Sequence, residues 1–313
     1  MGNYPLYVAF MKKELLIGAC ALVVAACGDD MVEVNYKIDS PVEMELFCEG
    51  YFSTYDLEGQ ERVGTITGAF NNITYESKGD TVLVNRDYVI NRSRGYLKNF
   101  MPSELVWRIK NVKMSAVDRD VLSIEGLEDG YDTLLAETPM PSRWRTQLLN
   151  PDYKPHLKRL EKHRWEMSHL LKGPVPTKGN VTELLKERGR LNFALIGIDS
   201  VVMDGYHKLD KRKCLGYKIY LHETESFPYY IWEQHVGSNI VPDKYKAYQK
   251  GLKGEYDTEF WVTLDPTNGV PCQEREVKVG KHTMVNPATN DTATFKSQVT
   301  LERLYNIRKP AEE

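Results

Sequence analysis

The side chains best suited to chemistry gather on one predicted helix, His156 to Leu171, which carries His156, His163 and His169 with Glu166 between the last two. Histidine pairs that share a metal from one helix sit about one turn apart, whereas a six-residue step places His163 and His169 about 120° apart around the axis. No His-Glu-x-x-His spacing occurs. These histidines therefore read as solvated side chains, and no residue is assigned to a metal or to catalysis. Pairs such as Asp199-Ser200 and Glu233 near His235 lie in strand-like segments, where neighbours alternate between faces. The nucleophile-elbow, P-loop and dinucleotide patterns are absent, and nothing in the sequence calls for a cofactor.

The same helix belongs to the one charge anomaly of the chain. Residues Arg143 to Arg190 hold twelve basic side chains against five acidic ones, within a 313-residue chain of formal net charge -3. So small a net charge gives no field toward nucleic acid, which is not expected as a partner. Lys158, Arg159, Lys162 and Arg164 could rest on anionic lipid headgroups, each contributing about 1 kcal/mol near the surface, or form the solvated back of the helix. Leu157, Leu160, Met167 and Leu171 supply its apolar face.

The elements around this helix read as β. From Val42 to about Glu128 short runs rich in Val, Ile, Thr, Tyr and Phe alternate with turn residues; Gly79-Asp80 leads into a strand at Thr81 to Ile90, and Leu105 to Ile109 and Val121 to Ile124 follow. Pro139, Pro141, Pro151 and Pro155 mark an extended connector. Gly173-Pro174 ends the basic helix, and Asn180 with Glu183 resembles a capping box for a short helix closed by Gly189. Candidate strands resume at Phe193 to Met203, Cys214 to His222, Tyr229 to His235, Glu259 to Leu264, Val270 to Val279 and Thr294 to Leu304, with hairpin signals at Asp204-Gly205 and Thr267-Asn268-Gly269. The expected fold is a β-rich α+β one, mostly antiparallel and curved around one or two helices, with β-rich halves at 42–138 and 191–313 joined by a connector and helices at 139–190, as one domain or two. Tyr217, Tyr220, Tyr230, Trp232 and Trp261 fall in its aromatic strands and either fill the core or line a cavity for an apolar ligand.

The front of the chain carries a different signal. Met11 to Ala26 joins Lys12 and Lys13 to an apolar stretch of about a dozen residues, a secretory leader too short to span a bilayer. Met1 to Phe10 fits no leader pattern, so Met11 is the better start, and Leu at position 6 rules out the myristoylation pattern. Val24-Ala25-Ala26-Cys27 resembles the lipobox of bacterial lipoprotein precursors. That resemblance implies removal of residues 1–26, a diacylglycerol thioether on Cys27 and anchoring in the cell envelope; the outer membrane or cell surface is preferred to the inner membrane, and the leaflet stays open. Residues 27–41, with Asp29, Asp30, Glu33 and Asp39, then read as a solvated acidic tether.

Of the remaining cysteines, Cys48, Cys214 and Cys272, either one pair and one free thiol or three buried thiols are open, with buried thiols favoured. Phe260 to Pro271 looks like a hairpin of LolA-like envelope lipoproteins, which implies a curved, lipid-binding sheet and no particular functional residue. The sequence-based expectation is thus a non-enzymatic envelope lipoprotein with a membrane-lipid partner through Cys27 and a hydrophobic ligand in a concave sheet. A scaffold binding an envelope protein or glycan, and an unrecognised hydrolase, stand behind it.

Overall fold

The computed structural model describes residues 30–307, except for 56–60, 96–104, 117–119, 130–152 apart from 132 and 136, 192–196, 210, 227–249 and 287. The leader, lipobox and Cys27 lie outside the described residues, as does the strand expected at Tyr229 to His235 with Tyr230 and Trp232.

The described residues include thirteen strands and two helices. They are β1 (Met31–Val34), β2 (Val42–Tyr55), β3 (Glu61–Lys78), β4 (Thr81–Gly95), β5 (Leu105–Ser115), β6 (Val121–Glu125), α1 (Tyr153–Ser168), β7 (Gly173–Pro176), β8 (Lys178–Asn180), α2 (Thr182–Glu187), β9 (Gly197–Leu209), β10 (Arg212–Ser226), β11 (Lys250–Leu264), β12 (Pro271–Val285) and β13 (Thr292–Ile307). Eleven of the strands form one antiparallel sheet in the order β6-β5-β4-β3-β2-β13-β12-β11-β10-β9-β8, so the fold is the β-rich α+β one expected. The chain starts near the middle of this sheet, meanders to the β6 edge, crosses through α1, and returns from the β8 edge to the middle. There β13 pairs with β2, Tyr305 opposite Leu46 and Arg303 opposite Cys48. The two β-rich halves thus share one sheet.

Strands β2 to β4 run 14 to 18 residues, longer than the short runs expected, because Gly64, Gly68, Thr65 and Thr67 continue the ladder where the apolar alternation lapses. The hairpin signal at Thr267-Asn268-Gly269 is realised between β11 and β12. Asp265 accepts from Thr267 N at 2.9 Å, and Gly269 takes φ +68 where an added Cβ would strike the Tyr36 ring. Asp204-Gly205 is not a hairpin, since β9 runs on to Leu209. Gly205, at φ +83, marks a bulge where the β9–β10 register shifts between Gly216 and Tyr217.

The expected tether is also corrected. Met31–Val34 pairs with Gly173–Pro176 as a two-stranded ribbon, and Val34, Tyr36 and Ile38 are buried. Alternating apolar residues at 32, 34, 36 and 38 give this segment one face to bury, which outweighs its acidic content. From the ribbon the chain crosses one end of the sheet, Asn35 N donating to Pro266 O at 2.9 Å and Ile38 N to Ser77 Oγ at 3.4 Å. We call this end the base.

Two buried clusters fill the base. One gathers Val34, Leu170, Leu171, Val201, Leu215, Ile219 and Phe260; the other gathers Met44, Leu46, Ile73, Tyr75, Val84 and Met114. The last turn of α1 lies between them, contributing Met167 to the first and Trp165 to the second. Here the histidines depart from expectation. His169 is 1% exposed, stacked on Trp165 with centroids 5.7 Å apart, and His163 is buried with Nδ1 3.2 Å from Glu166 Oε2. A single-helix reading misses this because the sheet wraps more of the helix circumference than one stripe. Pro155 sits in the first turn of α1, where its missing N–H is harmless. Asn180 Oδ1 accepts from Thr182 N at 2.9 Å, while Glu183 pairs with Lys186 at 2.8 Å rather than reaching back as in a capping box.

The cysteines resolve against the favoured reading. Cys214 and Cys272 form a disulfide, with Cα atoms 6.8 Å apart, and Cys48 is a free buried thiol. The bond joins β10 to β12 level with the end of β11 at Leu264, where no intervening strand keeps the two apart.

Candidate functional site

Side-chain alternation and register together define what the inner, concave wall carries. The inward positions of β2 include the buried Met44, Leu46 and Cys48. Through the ladder, Cys48 lies beside Arg303, Arg303 beside Glu274, and Glu274 beside Val262 and then Tyr217. One step further from the base the row reads Gly50, Leu301, Glu276, Phe260 and Ile219; the next reads Phe52, Val299, Lys278, Thr258 and Leu221. The wall is therefore mostly apolar on β10 and β11, charged on β12, and on β13 apolar at Leu301 and Val299 with one charge, Arg303.

Arg303 and Glu274 are 4% and 3% exposed and face each other across β12 and β13, Nη1 to Oε2 3.5 Å. Arg164 of α1 approaches the same oxygen at 3.9 Å and Glu161 at 3.5 Å, while Glu161 also accepts from Trp165 Nε1 at 3.1 Å. Burial alone would lower the Arg164 pKa, but the carboxylates of Glu161 and Glu274 outweigh it and hold the guanidinium above its ordinary value. Further out, Lys278 pairs with Glu223 and lies 4.2 Å above the Tyr256 ring, and His282 Nε2 shares a hydrogen bond with Ser297 Oγ at 2.7 Å.

The His282–Ser297 contact has the reach of a base and a nucleophile. Ser297 sits inside a ladder paired on both sides, opposite Gly280 on β12 and Thr54 on β2. Both residues belong to the sheet, and no catalytic role is assigned to the pair. Among the described residues no group of three or more His, Cys, Asp or Glu is placed to hold a metal.

The residues singled out from the sequence scatter. Tyr217 faces inward but is fully buried, its hydroxyl donating to Met167 O at 2.7 Å, so it belongs to the core and lines no cavity. Tyr220 and Trp261 occupy the outer face, Trp261 edge-on to His207 with centroids 5.3 Å apart. Lys158 and Arg159 are exposed, Lys162 pairs with Glu166 at 3.5 Å, and Arg164 turns inward, which removes it from any membrane-facing set. The inward charges on β12 were missed, although Cys272, Glu274, Glu276 and Lys278 share one parity. The signal was there, but only the cross-strand register shows which parity faces in.

One outer-face contact gives a direct check on the register of β10 against β11. The hydrogen bond to Asp257, at 2.9 Å from His222 Nδ1, raises the His222 pKa above its ordinary value of about 6.5. Stability from this contact is present below the ordinary value and is lost as pH rises through the folded one. Asp257→Asn is expected to bring the His222 midpoint down toward 6.5, read from imidazole chemical shifts; an unmoved midpoint would refute the contact.

No family model matches the chain, and no curated protein matches it.

Proposed function

We propose that the chain is a lipid-anchored protein of the bacterial cell envelope, tethered through Cys27, whose curled sheet receives an amphipathic ligand and performs no chemistry on it. The leader and the Val24-Ala25-Ala26-Cys27 pattern support the anchor. So does the Cys214–Cys272 disulfide, since such bonds persist mainly in oxidising compartments. The observation that carries the ligand reading is the inner wall beyond α1, where the half-buried Phe52, Val299 and Leu301 stand beside Glu276 and Lys278. Such a wall suits a molecule with an apolar chain and a polar head better than a bare hydrocarbon. The LolA-like pattern of the β11–β12 hairpin points the same way.

The test is native mass spectrometry and displacement of a fluorescent single-chain fatty acid on mature protein carrying Cys27→Ser. The expected result is a co-purifying amphiphile and saturable probe binding, weakened at least tenfold by Val299→Trp. A chain that purifies empty and binds no probe defeats the ligand reading.

A second reading, a scaffold for an envelope protein or glycan, rests on Phe47 and Leu304, adjacent across β2 and β13 on the outer face and 48% and 38% exposed. Loss of partner capture in Phe47→Glu with unchanged probe binding would favour it.

A further inference from the structure

We propose that the base of the sheet, where the β1–β7 ribbon crosses it, is the face that lies on phospholipid headgroups, so that the long strands point away from the bilayer. This rests on the lipid anchor at Cys27 proposed above. Only three peptide steps separate Cys27 from Asp30, a reach of roughly 11 Å at full extension. Asp30 is already fixed to the body, its carbonyl accepting from Thr177 N at 3.0 Å, and Met31 opens the ribbon opposite Pro176. A lipid on Cys27 therefore keeps the ribbon within roughly 11 Å of its attachment point, which favours this end of the sheet over any other as the membrane-facing one.

The chemistry of the base suits that contact. Met31 is 49% exposed beside the attachment point, an apolar side chain able to enter the interface. An open cleft of about 490 Å³ lies at the same end, and its lining includes Glu33, Lys37, Asp39 and Lys172. Both signs of charge are present, and Lys37 pairs with Asp39 at 3.1 Å in full view of solvent, an ion pair that a zwitterionic headgroup can replace with its own phosphate and ammonium. This arrangement needs no anionic lipid, unlike a contact made through the basic face of α1. The two faces are well apart. Leu170 and Leu171, just past the end of α1, are buried with Val34 in the base, whereas Lys158 precedes Ser168, the last residue of α1, by ten residues, roughly 15 Å of helical rise.

The experiment uses the full lipidated protein, in a Cys48→Ala background, reconstituted in phosphatidylethanolamine vesicles with and without phosphatidylglycerol. Fluorophores on Met31→Cys, Lys158→Cys and Val279→Cys report quenching by a lipid spin-labelled at its headgroup. Val279 lies eight residues up β12 from Pro271, about 27 Å along the strand. The expected result is several-fold stronger quenching at Met31 than at the other two positions, unchanged when phosphatidylglycerol is left out. Stronger quenching at Lys158, equal quenching at all three, or a requirement for phosphatidylglycerol overturns the proposal. Intact mass on the same samples separates the two readings. An unlipidated chain defeats the anchor itself, whereas a lipidated chain with the wrong quenching pattern defeats only the orientation.

Discussion

Glu274→Ala is expected to lower the free energy of unfolding by about 3–5 kcal/mol, the range for breaking a buried ion pair by removing one partner. The carboxylate faces Arg303 at 3.5 Å and Arg164 at 3.9 Å, and Arg303 has a side chain only 5% exposed. Without Glu274 the Arg303 guanidinium loses the acidic partner beside it in the sheet and cannot reach bulk water. Arg164 suffers less, because its side chain is 26% exposed and keeps Glu161. If charge rather than volume is responsible, Glu274→Gln is expected to cost nearly as much as alanine. Replacing both partners, Glu274→Leu with Arg303→Leu, is expected to recover most of the loss, since a filled apolar pair carries no desolvation penalty. Urea unfolding of the four chains is the measurement. A loss below about 1 kcal/mol for Glu274→Ala, the scale of a surface pair, would show that the inner wall is open to solvent at this point.

Removing the disulfide by Cys214→Ala with Cys272→Ala is expected to cost about 2–5 kcal/mol. The two residues are 58 apart in sequence, so the bond closes a long loop that takes in all of β11, and the entropy withheld from the unfolded chain rises with loop length. Both sulfurs belong to fully buried residues. Reductant should therefore leave the native protein intact at low temperature and lower its melting temperature only where opening exposes the bond. Unreduced and reduced samples that melt together would show that the bond does not form in the folded protein.

Local signals in the sequence carried much of this fold. Gly79-Asp80 before a partly alternating run marks the β3–β4 turn, and Thr267-Asn268-Gly269 marks the β11–β12 turn, because both depend on a backbone conformation that glycine adopts at no steric cost. Met167 marks the buried side of α1 through helical spacing alone, although the helix ends at Ser168 rather than at the expected Leu171. What stayed hidden depends on partners far away in the chain. Nothing near Arg303 reveals that it will lie between Glu274 and Cys48, and nothing near Asp204-Gly205 separates a bulge from a turn until the length of β10 is known. His163 and His169 mislead for the same reason, since the end of α1 and the residue just past it pack between the two buried clusters and bury polar positions that an exposed helix would keep wet.

The pairing of β13 with β2 sets the order in which the molecule can be assembled. Until Thr292–Ile307 is available, the ladders β2 to β6 and β8 to β12 are separate sheets, each presenting a long unpaired flank that could capture another chain. Zipping them demands contact between residues some 250 positions apart, so the central seam closes late and slowly. A newly made chain is consequently most prone to clump just before its final strand is delivered, and a chaperone that shields β2 until then would guard the vulnerable moment.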